Sequence, residues 1–425
     1  MIETIRNAWK VADLRKRITF TLMIIVLFRF GSKIPVPFLD AAVLQAYIAA
    51  NSGTIFSYID MLSGGAFSQA TLFAMSISPY INASIILQLL TVGLPSLEKL
   101  AKEGEEGRKK IAKYTRYLTV AIGVVQGYGM YAVLRNGGAV SFDSAFVCAV
   151  IVASFTAGTA LLMWIAEQVN THGIGNGISV ILFSGIVARL PASMAGIQQN
   201  LKLGNVKIWL VAVIGIVAVA LIGLVVMVTN SERRVPVQYA KRVVGRKVYG
   251  GQATHIPIKV NGTGVLPVIF AQSFLSIPAT IASFFPAPVE GGFMEGFLKS
   301  LQHTSPVYAC FYALFIVGFS FFYISMSYNP VEIANNLKKN GGFVPGIRPG
   351  RPTSDFIARI LSKITFFGSF FLVFIAVLPI LCSMFLPINL SLGGTTIIIL
   401  VGVSLETVKQ MESMMLMRHY KGFLE

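Results

Sequence analysis

Ten runs of mainly apolar residues follow one another along the 425-residue chain, at about 18–34, 71–92, 117–134, 144–166, 177–192, 206–228, 264–285, 305–326, 358–383 and 395–411. A helix crosses hydrocarbon with about 20 such residues, and fewer where flanking side chains snorkel. Lipid offers no partner to an open strand edge, so runs of this length become helices. The sequence therefore predicts an all-α polytopic membrane protein with ten transmembrane helices. Only 12% of the residues are charged, about half the share found in soluble domains. Cys148, Cys310 and Cys382 all fall inside apolar runs, away from any CxxC or Cys/His cluster, and read as small packing residues. The first seventeen residues are basic and precede a short apolar run, yet no A-x-A pattern follows. The first run is read as a retained helix.

Charge sets the orientation. Lys and Arg number 35 against 18 acids, a formal excess of +17. If the chain starts inside, 28 of those 35 fall in segments on the starting side: before residue 18, in 93–116, 229–263 and 327–363, and from 409 on. Positive charge collects in cytoplasmic loops, so both termini (1–17 and the tail 412–425) are expected in the cytoplasm of a multi-pass membrane protein.

Five runs lie on either side of the 193–205 connection, giving halves at 18–192 and 206–411. An odd number per half would insert the second half upside down, as inverted repeats are. Two cytoplasmic loops exceed what a connection needs. In 229–263, Val235, Val237, Val243 and Val244 flank basic residues and Gly250-Gly251 offers a turn, the pattern of a projecting hairpin. In 327–357, dense Pro and Gly predict an extended, non-helical tip around Arg348. Topology determination alone would explain individual basic residues there, but not the loop lengths. Between the first two runs, Ile55 to Leu62 is apolar, too short to cross, and ended by Gly64-Gly65. It reads as a re-entrant or capping helix, with an interfacial helix as the alternative.

The runs themselves are unusually polar in places. On a helical wheel Ile77, Ile81, Ile85 and Gln88 share an arc of about 80°. A lipid-facing stripe does not need an amide, and a wet pore does not select isoleucine, so a dry constriction with a polar flank fits both; polar packing between helices is the alternative. Pro79 is expected to loosen this helix, with Ser78 or Asn82 satisfying the freed backbone. GIGNGISVILF places Ile178 and Leu182 one turn apart, and GTGVLPVIFAQSF puts proline, Gln272 and Ser273 in an apolar run. Glu406 is the one acid expected within a run. Ion-coupled carriers normally need ionisable groups at mid-membrane depth. No GxxxxGK[ST] and no nucleophile–base constellation occurs. Neither an enzymatic activity nor a cofactor is expected, and energy for any transport must come from a partner.

The stretches FRFGSKIPVP, MLSGGAFSQATLFAMSISPYINASIILQLL, KEGEEGRKKIAKYTRY, GIGNGIS, YAKRVVGRKVYGGQATHIPIKVN, NLKKNGGFVPGIRPG and GGTTIIILV closely resemble the bacterial SecY family, the protein-conducting channel of the Sec translocon. The resemblance implies two pseudo-symmetric five-helix halves around a central hourglass pore, closed by a short re-entrant plug helix and opening laterally toward lipid. By motif, the pore ring would comprise Ile77, Ile81, Ile178, Leu182, Ile269 and Ile399; Leu182 departs from the family's usual isoleucine without losing apolarity. The plug would span Ile55 to Gln69, including Phe56, Tyr58, Ile59, Met61, Leu62, Gly64, Gly65 and Phe67. The gate would set the second and seventh spans against the third and eighth, engaging Asn82, Gln88, Gln272 and Ser273. The loops would dock the SecA ATPase or the ribosome through Arg348, Arg233, Arg234, Lys241, Arg242, Arg246 and Lys247, with contact to ribosomal RNA possible. The resemblance further implies SecE-type and SecG-type small subunits, signal-sequence-bearing polypeptides as substrates, lateral release of membrane segments into the lipid bilayer, and the bacterial cytoplasmic (inner) membrane as location. A solute carrier, or an insertase or scaffold without a through-pore, are the competing classes.

Overall fold

The computed structural model describes residues 2–50, 60, 63–204, 207–239, 242–244, 247–249, 253–282, 296–297, 300, 305–385 and 394–421. Its helices are α1 (Ile2–Lys10), α2 (Ala12–Gly31), α3 (Ala41–Ala50), α4 (Ser78–Gly93), α5 (Pro95–Lys102), α6 (Glu105–Asn136), α7 (Ala145–His172), α8 (Gly177–Lys202), α9 (Ile208–Asn230), α10 (Leu266–Ala282), α11 (Pro306–Ser327), α12 (Pro330–Lys339), α13 (Arg351–Phe385) and α14 (Gly394–Lys421). Every expected apolar run coincides with one of them. By length and composition alone, α6, α7, α8, α9, α11 and α13 can cross a membrane, and a seventh span exists if α4 and α5, bent by 101°, count as one. The others fall short for physical reasons. Arg15, Lys16, Arg17 and Arg29 interrupt α2, α10 runs only 17 residues, and α14 carries Glu406, Lys409 and Glu412 within its length.

The second run departs from expectation at its start. Helix α4 begins at Ser78, and residues 63–77 form a chain of turns, with Ala70 and Ser76 at positive φ (49° and 50°). Pro79 thus occupies the first turn of α4, where no intrahelical bond awaits its missing N–H. It starts the helix and does not loosen it. The prolines inside helices are Pro191 in α8, Pro278 in α10 and Pro379 in α13.

Packing divides the helices into neighbourhoods. Helix α6 lies between α4 and α7, α7 also packs on α2 and α8, and α10 packs on α11, which leans on α13. Helix α14 touches α1, α8, α9 and α13 and so joins early helices to late ones. The close approaches use small residues. A Cβ on Gly158 of α7 would lie 2.0 Å from the backbone oxygen of Leu72, so this glycine lets α7 press against the turns that precede α4.

The two long loops, 229–263 and 327–357, form one module. Strand β1 (Glu232–Tyr239) pairs antiparallel with β4 (Ala253–Lys259), with Val235 opposite Ile256 and Val237 opposite Thr254. Between them β2 (Arg242–Val244) pairs with β3 (Lys247–Tyr249), extending the expected hairpin; Gly250-Gly251 lies outside the described residues. From the second loop, β5 (Gly342–Phe343) adds to the free edge of β1. Alternation along β1 buries Val235 and Val237, which pack with Ile258, Leu337, Val344, Ile357 and Leu361 in a core of their own.

Gly158→Ala should lower the thermal midpoint of the detergent-solubilised protein, because the added methyl meets backbone and not a movable side chain, at a cost of about 1–3 kcal/mol. Gly215→Ala in α9, where a Cβ meets nothing within 4 Å, is the control and should leave the midpoint unchanged.

Candidate functional site

The six apolar side chains singled out by sequence all lie in, or pack against, the main buried apolar core. Ile77 (0% exposed), Ile81 (6%), Leu182 (2%) and Ile399 (2%) are buried in one apolar cluster, and Ile178 and Ile269 pack against it half-buried. All six sit at or near helix starts. Ile77 is the N-cap of α4 and Ile81 follows one turn on; Ile178 and Leu182 open α8; Ile269 and Ile399 lie within the first two turns of α10 and α14. Helix starts carry unpaired N–H groups that would draw water. At α8 side chains take them up: Asn176 Oδ1 accepts from the N–H of Ile178 at 3.1 Å, and Asn170 Oδ1 accepts from Gly177 at 2.7 Å. Apolar walls give water and ions no hydrogen bonds, so this cluster can act as a dry constriction.

The polar residues beside it divide by helix. On α4, Asn82 is half-buried, and Gln88 donates Nε2–H to Ser84 Oγ at 3.3 Å while its buried Oε1 finds no hydrogen-bond partner among the described residues. On α10, Gln272 is buried and its Oε1 accepts from Tyr312 Oη of α11 at 3.1 Å. The backbone oxygen of Ser273 accepts from Ser276 Oγ at 2.6 Å. Phe274 packs on Phe315 at 4.9 Å and also contacts Phe319, which meets Phe270 edge-on. These contacts join α10 to α11, while α4 is joined to α6. Helix α10 touches both α4 and α6, less extensively than α4 packs on α6 or α10 on α11.

Of the short segment ahead of α4, Ile55, Phe56, Tyr58, Ile59, Met61 and Leu62 lie outside the described residues. Gly64 and Gly65 turn at positive φ (67° and 87°), and Phe67 is 1% exposed. Sequence reasoning passed over two residues here. Asp60 is fully buried, and its carboxylate forms an ion pair with Arg189 of α8. A hint existed: Arg189 stands in an apolar run with no acid anywhere in its helix. Tyr312, the partner of Gln272, was likewise passed over, since nothing in an aromatic-rich run marks one tyrosine.

Arg233 and Arg234 are exposed near the start of β1, Arg234 with its Nε–H on Glu232 Oε1 at 2.8 Å. Arg242 and Lys247 belong to the β2–β3 pair, opposite Tyr249 and Val244; Lys241 and Arg246 lie outside the described residues. Arg348 is exposed on a non-helical tip, and its backbone oxygen accepts from Thr353 Oγ1 at 2.9 Å. Gly346 and Gly350 flank it at positive φ (79° and 106°). No ion pair among the described residues involves Arg348.

Tyr312→Phe removes the hydrogen bond that ties α11 to Gln272. It should cost about 1–2 kcal/mol, as deleting one partner of a buried pair does, read as a lower thermal midpoint in detergent. Tyr308→Phe, one turn away, serves as comparison.

Comparison with known proteins matches this geometry to one family. The family model for SecY matches residues 71–408. The protein translocase subunit SecY of Streptomyces scabiei is 46% identical over the whole of both chains, and that of Bacillus subtilis strain 168 is 41% identical, again over both whole chains. Among solved structures, a protein-conducting channel superposes with a TM-score of 0.66 at 18% identity, covering 94% of this chain and 92% of that one. Sec61 from a canine ribosome–channel complex of the endoplasmic reticulum superposes with a TM-score of 0.62 at 17% identity and the same coverage.

Proposed function

The chain belongs to the SecY family of protein translocation channels, and from that premise we propose how its parts divide the work. It is a multi-pass membrane protein and a channel, not an enzyme. Ten spans form two five-helix halves, 18–192 and 206–411, around an hourglass pore in the bacterial cytoplasmic membrane, with both termini in the cytoplasm. Ile77, Ile81, Ile178, Leu182, Ile269 and Ile399 ring the narrowest point. Residues 55–69 plug the outer funnel at rest. The seam of α4 and α6 against α10 and α11 opens to release membrane segments into lipid. Gln88 supports that assignment: among the described residues its amide is bonded only to Ser84 of its own helix, so no bond to another helix has to break there when the seam opens. Small SecE-type and SecG-type subunits brace the halves, and the module of the two cytoplasmic loops docks SecA or a ribosome.

One observation carries the ring reading. Ile77, Ile81, Leu182 and Ile399, brought from three helices, are buried in the same apolar core, and Ile178 and Ile269, the latter from a fourth helix, pack half-buried against it. A polypeptide can slide past such a collar, which excludes water but offers nothing to bind tightly. Replacing Ile81 and Ile269 with asparagine supplies hydrogen bonds to water and weakens closed-state packing by about 1–3 kcal/mol per site. Resting conductance in planar bilayers should rise and substrates with defective signal sequences should be exported, whereas Ile→Leu at both positions should be mild. A tight seal in the asparagine variants would remove these residues from the pore.

The motor-docking reading rests on Arg348. A guanidinium on a stiff tip makes directed, bidentate contacts, and Thr353 together with two left-handed glycines stiffens the backbone there. Arg348→Glu should abolish SecA-driven export from membrane vesicles while the channel still assembles; normal export would exclude this residue from docking.

A further inference from the structure

Asp60 and the turn at residues 63–68 are tied to two helices, α2 and α8. Asp60 is fully buried. One carboxylate oxygen accepts the backbone N–H of Ser68 at 2.7 Å, and the other pairs with Arg189 Nη1 of α8. The backbone oxygen of Asp60 accepts from Gly65 N–H at 2.8 Å and from Ser63 Oγ at 3.1 Å, so the carboxylate is fixed relative to the whole turn. Arg29 of α2 donates to the oxygen of Gly64 at 3.4 Å. Gly64 itself lies so near α8 that a Cβ there would stand 2.9 Å from both the Cα and the oxygen of Gly185. The neighbouring Ala66 packs into the same apolar cluster as Ile77 and Ile81. Arg189 follows Leu182 by seven residues on α8, about 10 Å further along the helix.

We infer that Asp60 and Arg189 are positioning residues for the channel's resting state: their buried ion pair latches the 63–68 turn onto α8, where Gly64 lies against Gly185, three residues beyond Leu182. This rests on the reading of residues 55–69 as the plug. The physics makes the latch close to all-or-none. Separating a buried carboxylate from its guanidinium leaves an uncompensated charge on each side, whereas replacing both partners together removes that penalty. Arg189 is about one-third exposed, with a side-chain exposure of 32% against 0% for Asp60. The arginine can therefore rehydrate when the turn leaves, while the turn must carry its carboxylate out to water. The open state is thus reachable and the closed state is the one in which the aspartate is satisfied.

The test is a double-mutant cycle on the full chain, purified from membranes with its associated subunits and measured in planar bilayers without substrate. Asp60→Asn and Arg189→Gln should each raise resting ion conductance by at least about ten-fold, since each strands one buried charge or its partner. The double variant should leak less than either single one, a coupling that merely additive structural damage cannot produce. Arg189→Lys, which keeps the charge, should fall between wild type and Arg189→Gln. If Asp60→Asn does not accumulate in membranes, the two Arg189 variants decide the matter by themselves. Unchanged conductance in Arg189→Gln, or additive leaks in the double variant, would overturn the latch. Deletion of residues 55–69 separates the two readings: a leak on deletion with none in Arg189→Gln rejects the latch and leaves the plug, and no leak on deletion rejects the plug itself.

Discussion

The burial of Ile77, Ile81, Leu182 and Ile399 in one cluster is the contact on which the rest of the architecture depends. In hydrocarbon every backbone group must be satisfied within the protein, and an apolar side chain gains nothing by leaving lipid for another apolar side chain. Helices in a membrane therefore associate through fit and polar contacts. A cluster of branched side chains at three helix starts is justified only if something other than lipid would fill the space, and in a channel that is water. Around it, the structure supplies fit through Gly158 against Leu72, and polar ties through Asn170, Asn176, Gln272 with Tyr312, and Asp60 with Arg189.

Those ties are unevenly distributed, and the unevenness matches the work. Helices α10 and α11 share a buried hydrogen bond and a set of ring contacts, and α8 is joined to α14 by Gln410, whose Oε1 accepts from Gly175 N–H at 2.7 Å. On α4, Gln88 is bonded only within its own helix among the described residues. A channel that opens along the proposed line between α4 and α10 needs replaceable contacts there and firmer ones elsewhere, including the Gln410 tie that joins the two halves.

Sequence made much of this legible. Apolar run length located ten of the described helices, because hydrocarbon thickness sets it, but not the short α1, α3, α5 and α12; the alternation of Val235 and Val237 located the first strand of the long loop. That Ile77 and Ile81 face the protein interior was readable because a stripe that also carries Gln88 does not suit lipid. What stayed hidden were pairings over long separations. Nothing near Asp60 announces Arg189, and nothing near Gln272 announces Tyr312, since a single residue's sequence neighbours do not specify a partner on another helix. That α10 packs on α11 was hidden for the same reason: the helices are alike in composition, and only the Phe270, Phe274 and Tyr312 contacts mark the pairing. Pro79 misled because its position in the helix, first turn or interior, depends on the turns at Ala70 and Ser76, whose left-handed backbones no glycine advertises.

The central claim, that a polypeptide in transit passes through this cluster, is most directly examined by photo-crosslinking. A photoreactive residue would replace either Ile81, buried in the cluster, or Ile86, which is 38% exposed on the outer face of the same helix, with a secretory polypeptide arrested midway. The account predicts adducts to the polypeptide from position 81 and none from position 86. Adducts from position 86 with none from position 81 would contradict it, by putting the polypeptide's path outside the ring.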